Sequence, residues 1–402
     1  MATVSRIRRA WLAQQSSGIS ADPSTTDDPS ADGSGYTAVP TQGRSFMPSN
    51  AMEILETDNA TGRNTRSAHE SGVDMSEVTL EIPARTYSTS SGDGVAAPAD
   101  TYMSFILESA FGAPDEFAGE GVASATSNTV VLDTDPGYTQ GDLIHVYDAS
   151  ANGGVGQWRH CISDSTVTFT IDPANWTDDP TATGDVYGSQ QYAAAPSVAD
   201  GPLLAGVFDI DGTIYTCLGG RPTSLSLTQN AKGRVVWSVT IKFDQKTEDA
   251  SAKSALPAHA AQTFPAIKGT LAALWWGATA YPVKSVAINW NIAAEDCDAT
   301  IGPNGRSDIT VLSADPTIEI TPLYDETVWE TDFDASTEKS VLIEFGSGTL
   351  NGTTINTMGF WGTLAQITAV AGTADGNRLR HNTTLALNDP GTTEPYWRLA
   401  MT

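Results

Sequence analysis

Residues 224–243 read SLSLTQNAKGRVVWSVTIKF. Two alternating runs flank a short polar stretch that contains Gly233. In the second run Val235, Trp237, Val239, Ile241 and Phe243 fall on one side of an extended chain, with smaller or polar residues between them. In the first, Leu225 and Leu227 alternate with Ser224 and Ser226. The pattern predicts two antiparallel strands joined by a turn, and the same period recurs through most of the chain.

Upstream, 206–210 and 213–218 flank Asp211-Gly212, a strong two-residue hairpin turn. Downstream, 268–276 and 283–292 are expected to pair as a second hairpin, with Val286, Ile288, Trp290 and Ile292 opposed to Ala287, Asn289 and Asn291. Further strands are expected at 317–321, 340–345 and 362–370. Near the start, 78–82 (VTLEI) alternates and meets Pro83, which suits a strand end. One helix is expected, over 98–111. Asp100 complements its N-terminal dipole, Tyr102, Phe105 and Ile106 pack one face onto the sheet, and Gly112 supplies the left-handed stop.

Residues 117–188 read as a separate small β unit, barrel or sandwich, because short strands recur at 128–132, 141–147, 157–162 and 166–171. Residues 14–45 are rich in Ser, Asp, Gly, Thr and Pro. Such a segment buries too little apolar area on its own to offset its ordering entropy. The chain therefore divides into an extended N-terminal arm (1–50), a discontinuous β domain (51–116 and 189–402) and an inserted β module (117–188).

The 402 residues carry 48 Asp and Glu against 21 Lys and Arg, a formal net charge of −27. A surface this negative repels phosphate backbones and anionic lipid. It argues against a grip on nucleic acid through basic patches, and it fits a salt-adapted surface, a cation binder or a surface that must not adhere. No stretch is apolar for long enough to span a membrane, and the basic N-terminus is followed by too short an apolar run for a signal peptide.

The sharpest local motif, 207–214 (VFDIDGTI), matches the first motif of haloacid-dehalogenase-like phosphatases, in which Asp209 and Asp211 would be nucleophile and acid/base. That chemistry needs a parallel α/β sheet and distal Mg²⁺ ligands. Here more strands follow with no crossover helix, so Asp209, Asp211 and Gly212 are expected to form a hairpin turn. Cys161, Cys217 and Cys297 are scattered without a CxxC pair, and the five histidines lack metal-ligand spacing. His145 and His160 lie in adjacent expected strands and could meet, but they fall short of a metal site. No catalytic residue, metal or cofactor is expected, and no enzyme.

Three pieces in order carry a family resemblance. They are 94–100 (GVAAPAD) running into the helix that ends ESAFG; the 117–188 module with its NTVVLDT, GDLIHVY and STVTFTI rhythm; and 219–227 (GGRPTSLSL) followed by the Gly233 turn and 235–243. Over roughly 76–345 the chain resembles the tail tube proteins of long, non-contractile-tailed bacteriophages. The resemblance implies two packed antiparallel sheets, a tail-tube β-sandwich or barrel, with one flanking helix and an inserted small β-barrel-like module on the tube exterior. It implies a homo-hexameric ring whose inner strands join around a lumen, with rings stacking into a tube and the N-terminal arm bridging them.

The implied partners are the tape-measure protein, the tail terminator, distal tail or baseplate proteins, and passing double-stranded DNA held without specific binding; no membrane is involved. The implied place is the virion tail, after synthesis in the host bacterial cytoplasm. DNA carries about one negative charge per 1.7 Å of axis, so an acidic lumen would let it slide where a basic one would hold it. Glu77, Glu81, Asp244 and Glu319 are the expected lumen-facing acids. The competing readings are another phage structural β protein (baseplate, decoration or adhesin) and, last, a phosphatase-like enzyme.

Overall fold

The 224–243 stretch folds into paired antiparallel strands, with Ser224 opposite Thr240 and Leu227 opposite Trp237. The computed structural model describes residues 8–15, 33–41, 49–55, 70–86, 102–150, 156–174, 176, 180–181, 184–193, 201–210, 212–230, 233–249, 253–259, 266–267, 273–298, 306–323, 327–346, 356–375, 378–391 and 395–402.

The chain begins with β1 (Arg8–Gln14), β2 (Thr37–Val39), β3 (Ser49–Leu55) and β4 (Glu70–Pro83), then α1 (Tyr102–Phe111) and β5 (Asp115–Phe117). Six short strands follow: β6 (Glu120–Thr126), β7 (Thr129–Leu132), β8 (Leu143–Tyr147), β9 (Gln157–Ser165), β10 (Thr168–Asp172) and β11 (Asp185–Val186). Next come β12 (Ser189–Ala193), β13 (Leu204–Ile210), β14 (Thr213–Asn230), β15 (Val235–Phe243) and β16 (Gln245–Asp249). They lead to β17 (Ala273–Trp276), β18 (Thr279–Tyr281), β19 (Val283–Asp298) and β20 (Arg306–Pro322). The chain closes with α2 (Val328–Asp334), β21 (Glu338–Phe345), β22 (Met358–Asp375), β23 (Arg378–Asn388) and β24 (Trp397–Met401). The fold is mainly β.

The 18-residue β14 serves two sheets. Its first half lies between β13 and β16, with β1 and β2 beyond β13. Its second half lies between β15 and β19. From there pairing runs outward through β15 to β4 on one side, and through β19, β20 and β23 to β22 on the other. The inward faces share one core: Leu204, Phe208 and Cys217 from the first sheet meet Leu225, Trp237, Val239, Ile241 and Phe243 from the second. A large aromatic cluster, Trp237, Trp290, Phe360 and Trp397, fills its middle with ring centroids 5.6 to 6.3 Å apart. Such pairs add to the stabilisation from area burial alone.

Helix α1 buries Tyr102 and Ile106 and half-buries Phe105 against this core. The segment 87–101, with the expected helix start at 98 and Asp100, lies outside the described residues. At the other end Gly112 takes φ +89° and its N–H bonds the Glu108 carbonyl at 2.9 Å, a left-handed stop that Cβ-bearing residues resist. The buried Arg221 then pins the helix end. Its guanidinium donates to the carbonyls of Ser109, Gly201 and Ile309, tying α1 to β20.

Three expectations are corrected. Residues 8–15, inside the supposed arm, are built into a sheet between β13 and β2, because Trp11 and Leu12 supply apolar area that the composition of 14–45 conceals. Trp11 also donates to the Pro257 carbonyl at 2.8 Å. Second, β17 does not pair with β19. It turns at Gly277 to pair with β18 and lies against β21, leaving β19 to β14 and β20. Third, a second helix, α2, packs on the sheet through the fully buried Trp329.

Strands β6 to β11 close a six-stranded barrel in the order β10-β7-β6-β11-β8-β9. Its interior holds Val122, Val130, Leu132, Ile144, Val146, Phe169 and Ile171. The barrel is inserted between β5 and β12, which pair with each other.

Candidate functional site

The outward face of the sheet running from β4 to β23 is built by the alternation that fills the core. The large apolar residues of these strands mostly point in, Val236 and Leu312 being among the exceptions, and the residues between them form a continuous second face. Across it one row reads Glu81, Ser238, Ser226, Asn289, Thr317 and Ala386 in register. The next reads Val236, Thr228, Ala287, Glu319 and Thr384. The side chains are short and mostly uncharged, and they bond one another: Thr79 and Thr240 hydroxyls lie 3.0 Å apart, and Thr321 donates to the Asn382 carbonyl oxygen at 3.1 Å. Two shallow grooves run over it, and Glu319 borders both.

Its charges are few where these strands lie side by side: over 76–83, 224–230, 235–243, 285–291, 315–321 and 382–386 the acids are Glu77, Glu81, Asp315 and Glu319, and the base is Lys242. Glu77, Glu81 and Glu319 are exposed on the polar side of their strands. Asp244 is not there. It follows the inward-facing Phe243 at the point where the chain turns from β15 into β16, and it is 1% exposed, its N–H bonded to the Leu218 carbonyl at 3.1 Å. Position after an alternating strand misled here, because the alternation stops at that turn. Asp315 is the acid missed. Two positions from Thr317 it shares the polar face, and it accepts a hydrogen bond from the Tyr396 hydroxyl at 2.7 Å.

At the phosphatase-like motif the structure places a hairpin. Asp209 pairs with Ile214 and Ile210 with Thr213 across antiparallel strands, and the Gly212 N–H donates to Asp209 Oδ1 at 2.9 Å with φ +93° at Gly212. Asp211 lies outside the described residues. Among the described residues no group of three or more His, Cys, Asp or Glu is placed to hold a metal ion, and no helix is long and apolar enough to cross a membrane. No protein-family model matches the sequence, and no curated protein matches it.

The other concentration of chemistry-bearing side chains is the seam between barrel and sheet. Trp158 of β9 lies flat over Gly359 of β22, where an added Cβ would come within 2.8 Å of the indole. Only a bare backbone leaves room for that ring. Leu143 and Trp158 pack with Leu342, Trp361 and Ala400 of the sheet. Beside them the fully buried Arg159 pairs with Glu344 at 3.3 Å and sits 4.8 Å from the rings of both Trp176 and Trp275. Arg398 of β24 closes the seam with bonds of 2.9 Å to Asp142 and Asp115. Burial pushes the Glu344 and Asp142 carboxyls up, and the facing guanidiniums oppose that shift.

Proposed function

We propose that this chain is the subunit of a phage tail tube, assembling as stacked six-membered rings around a lumen lined by the polar sheet face. One observation carries the reading: a seven-stranded sheet, β4-β15-β14-β19-β20-β23-β22, has one face of small polar side chains and stays open at both ends. Among the described residues β4 pairs on one side only over 78–83, and β22 pairs on one side only beyond Gln366. The β22 edge, 367–374 (ITAVAGTA), carries no charge and no proline.

Edges of that kind invite another strand, and natural sheets otherwise blunt them. Two different edges joined between copies make a heterologous contact, which closes to a ring or runs on as a filament. The lining suits a conduit. Over 76–83, 224–230, 235–243, 285–291, 315–321 and 382–386 it offers DNA one lysine and no arginine, so a passing duplex would release few counterions there and meet little retention. The tape-measure protein, the terminator and distal tail proteins are the partners that such a tube requires. Negative-stain electron microscopy of the purified protein tests the reading: six-fold rings or tubes are expected, and discrete globular particles at high concentration would sink it.

A further inference from the structure

The histidines of the barrel have no part in a conduit, yet both are buried in the seam. His145 of β8 is 0% exposed, with its ring 4.9 Å from Trp158 and 6.4 Å from Tyr187, and neither ring nitrogen has a hydrogen-bond partner among the described residues. His160 of β9 is stacked on Trp361 of β22, the centroids 4.2 Å apart and the planes within 8°.

The charged groups around them come from every neighbouring strand. Arg398 of β24 acts directly on His160, and its own partners are Asp142 and Asp115. Arg159 and Glu344 form the ion pair next to Trp158. Asp172 of β10 stands opposite His160 in register and accepts a bond from Ser340 at 3.1 Å. The charge that bears on His160 is thus a cation, and His145 is surrounded by aromatic rings.

We propose that the barrel is held on the sheet by an acid-labile seam, in which both imidazoles must be neutral for docking and proton uptake frees the β8–β9 face from β21, β22 and β24. Desolvation supports this: it pushes both histidines down to about 3, and for His160 Arg398 adds to the effect while a hydrogen bond with the Gly141 backbone opposes it. A hydrated imidazole in an opened seam titrates near 6.5. Between those values the opened state binds more protons, so the histidines' contribution to docking is fully present above about pH 6.5 and shrinks as pH falls below it. Asp142, Asp172 and Glu344 are shifted upward by burial and act in the opposite sense. Each histidine multiplies the opening constant by about ten per pH unit, and the two together by about a hundred.

Hydrogen exchange of the full chain from pH 7 to 4.5, normalised for intrinsic rates, tests the proposal. Peptides from 143–147, 157–161, 358–362 and 397–401 are expected to open increasingly as pH falls, while the histidine-free strands β14 and β19 keep their protection. A His145→Phe/His160→Phe double variant is expected to lose that rise, and each single variant to show a shallower one. Constant seam protection in the native chain overturns the proposal without any variant. So does a rise shared equally with β14 and β19, or a double variant that keeps the native slope.

Discussion

The polar sheet face and the barrel seam share only β22 and solve opposite problems. On the face, short neutral side chains stay in water and bond across strands, so no single one carries much energy. In the seam two arginines, carboxylates and two histidines are taken out of water and must be matched one by one. The comparison teaches where this chain tolerates change. Charge is nearly free on the face and costly in the seam, although the acidity of the whole sequence gives no hint of the distinction.

The largest break in that contrast is expected from Glu344→Ala. It strands the buried Arg159 between two indole rings and should cost about 3–5 kcal/mol, read as a fall in urea midpoint. A paired Arg159→Met/Glu344→Leu variant should recover most of it, because removing both charges removes the desolvation too. Gly359→Ala comes next. Its Cβ meets the Trp158 ring, and about 1–3 kcal/mol is expected for the forced displacement, with the barrel side of the seam losing exchange protection first. On the polar face, Glu81→Lys with Glu319→Lys should move stability by less than about 0.5 kcal/mol. The same pair should create salt-dependent retention of duplex DNA in a filter-binding assay. A stability loss of seam size there would erase the contrast.

The smallest effect is expected at the hairpin. Asp209→Asn keeps an acceptor for the Gly212 N–H, so stability should hold within about 0.5 kcal/mol. Phosphomonoester turnover with Mg²⁺ should be absent in both forms. Turnover that the substitution abolishes would restore the phosphatase reading.

The polar face was largely legible because alternation is a local signal. Val78 to Ile82, Leu225 to Leu227 and Val235 to Phe243 each report their own orientation, and the outward residues follow by parity. Pairing was less legible. Nothing within 268–292 says that β17 will turn at Gly277 to meet β18 and lie against β21, because a strand's neighbour is set by tertiary packing. The seam was not legible as a site. Trp158 and Gly359 are two hundred positions apart, and neither reads as unusual alone.

One signal was present. LIHVY in β8 and QWRHC in β9 are buried at every position, so neither strand keeps an alternating polar face. A strand of a small barrel with no wet side must have something packed on its outside. His145 and His160 belong to that missing wet side. Their proximity on neighbouring strands reports a covered surface.

The register of β5 with β12 has a consequence for ancestry. Phe117 stands directly opposite Ser189, and the whole barrel lies between these two residues. From the side of the host sheet, seventy residues occupy the place of a hairpin loop. A forebear without them could have closed the same two strands with a tight turn and kept every other pairing in the sheet. Such a gain would need no change of topology, only a landing pad such as Leu342, Glu344, Gly359, Trp361 and Arg398 provide. Relatives that lack the barrel should therefore carry a polar surface at the positions of Leu342, Gly359 and Trp361.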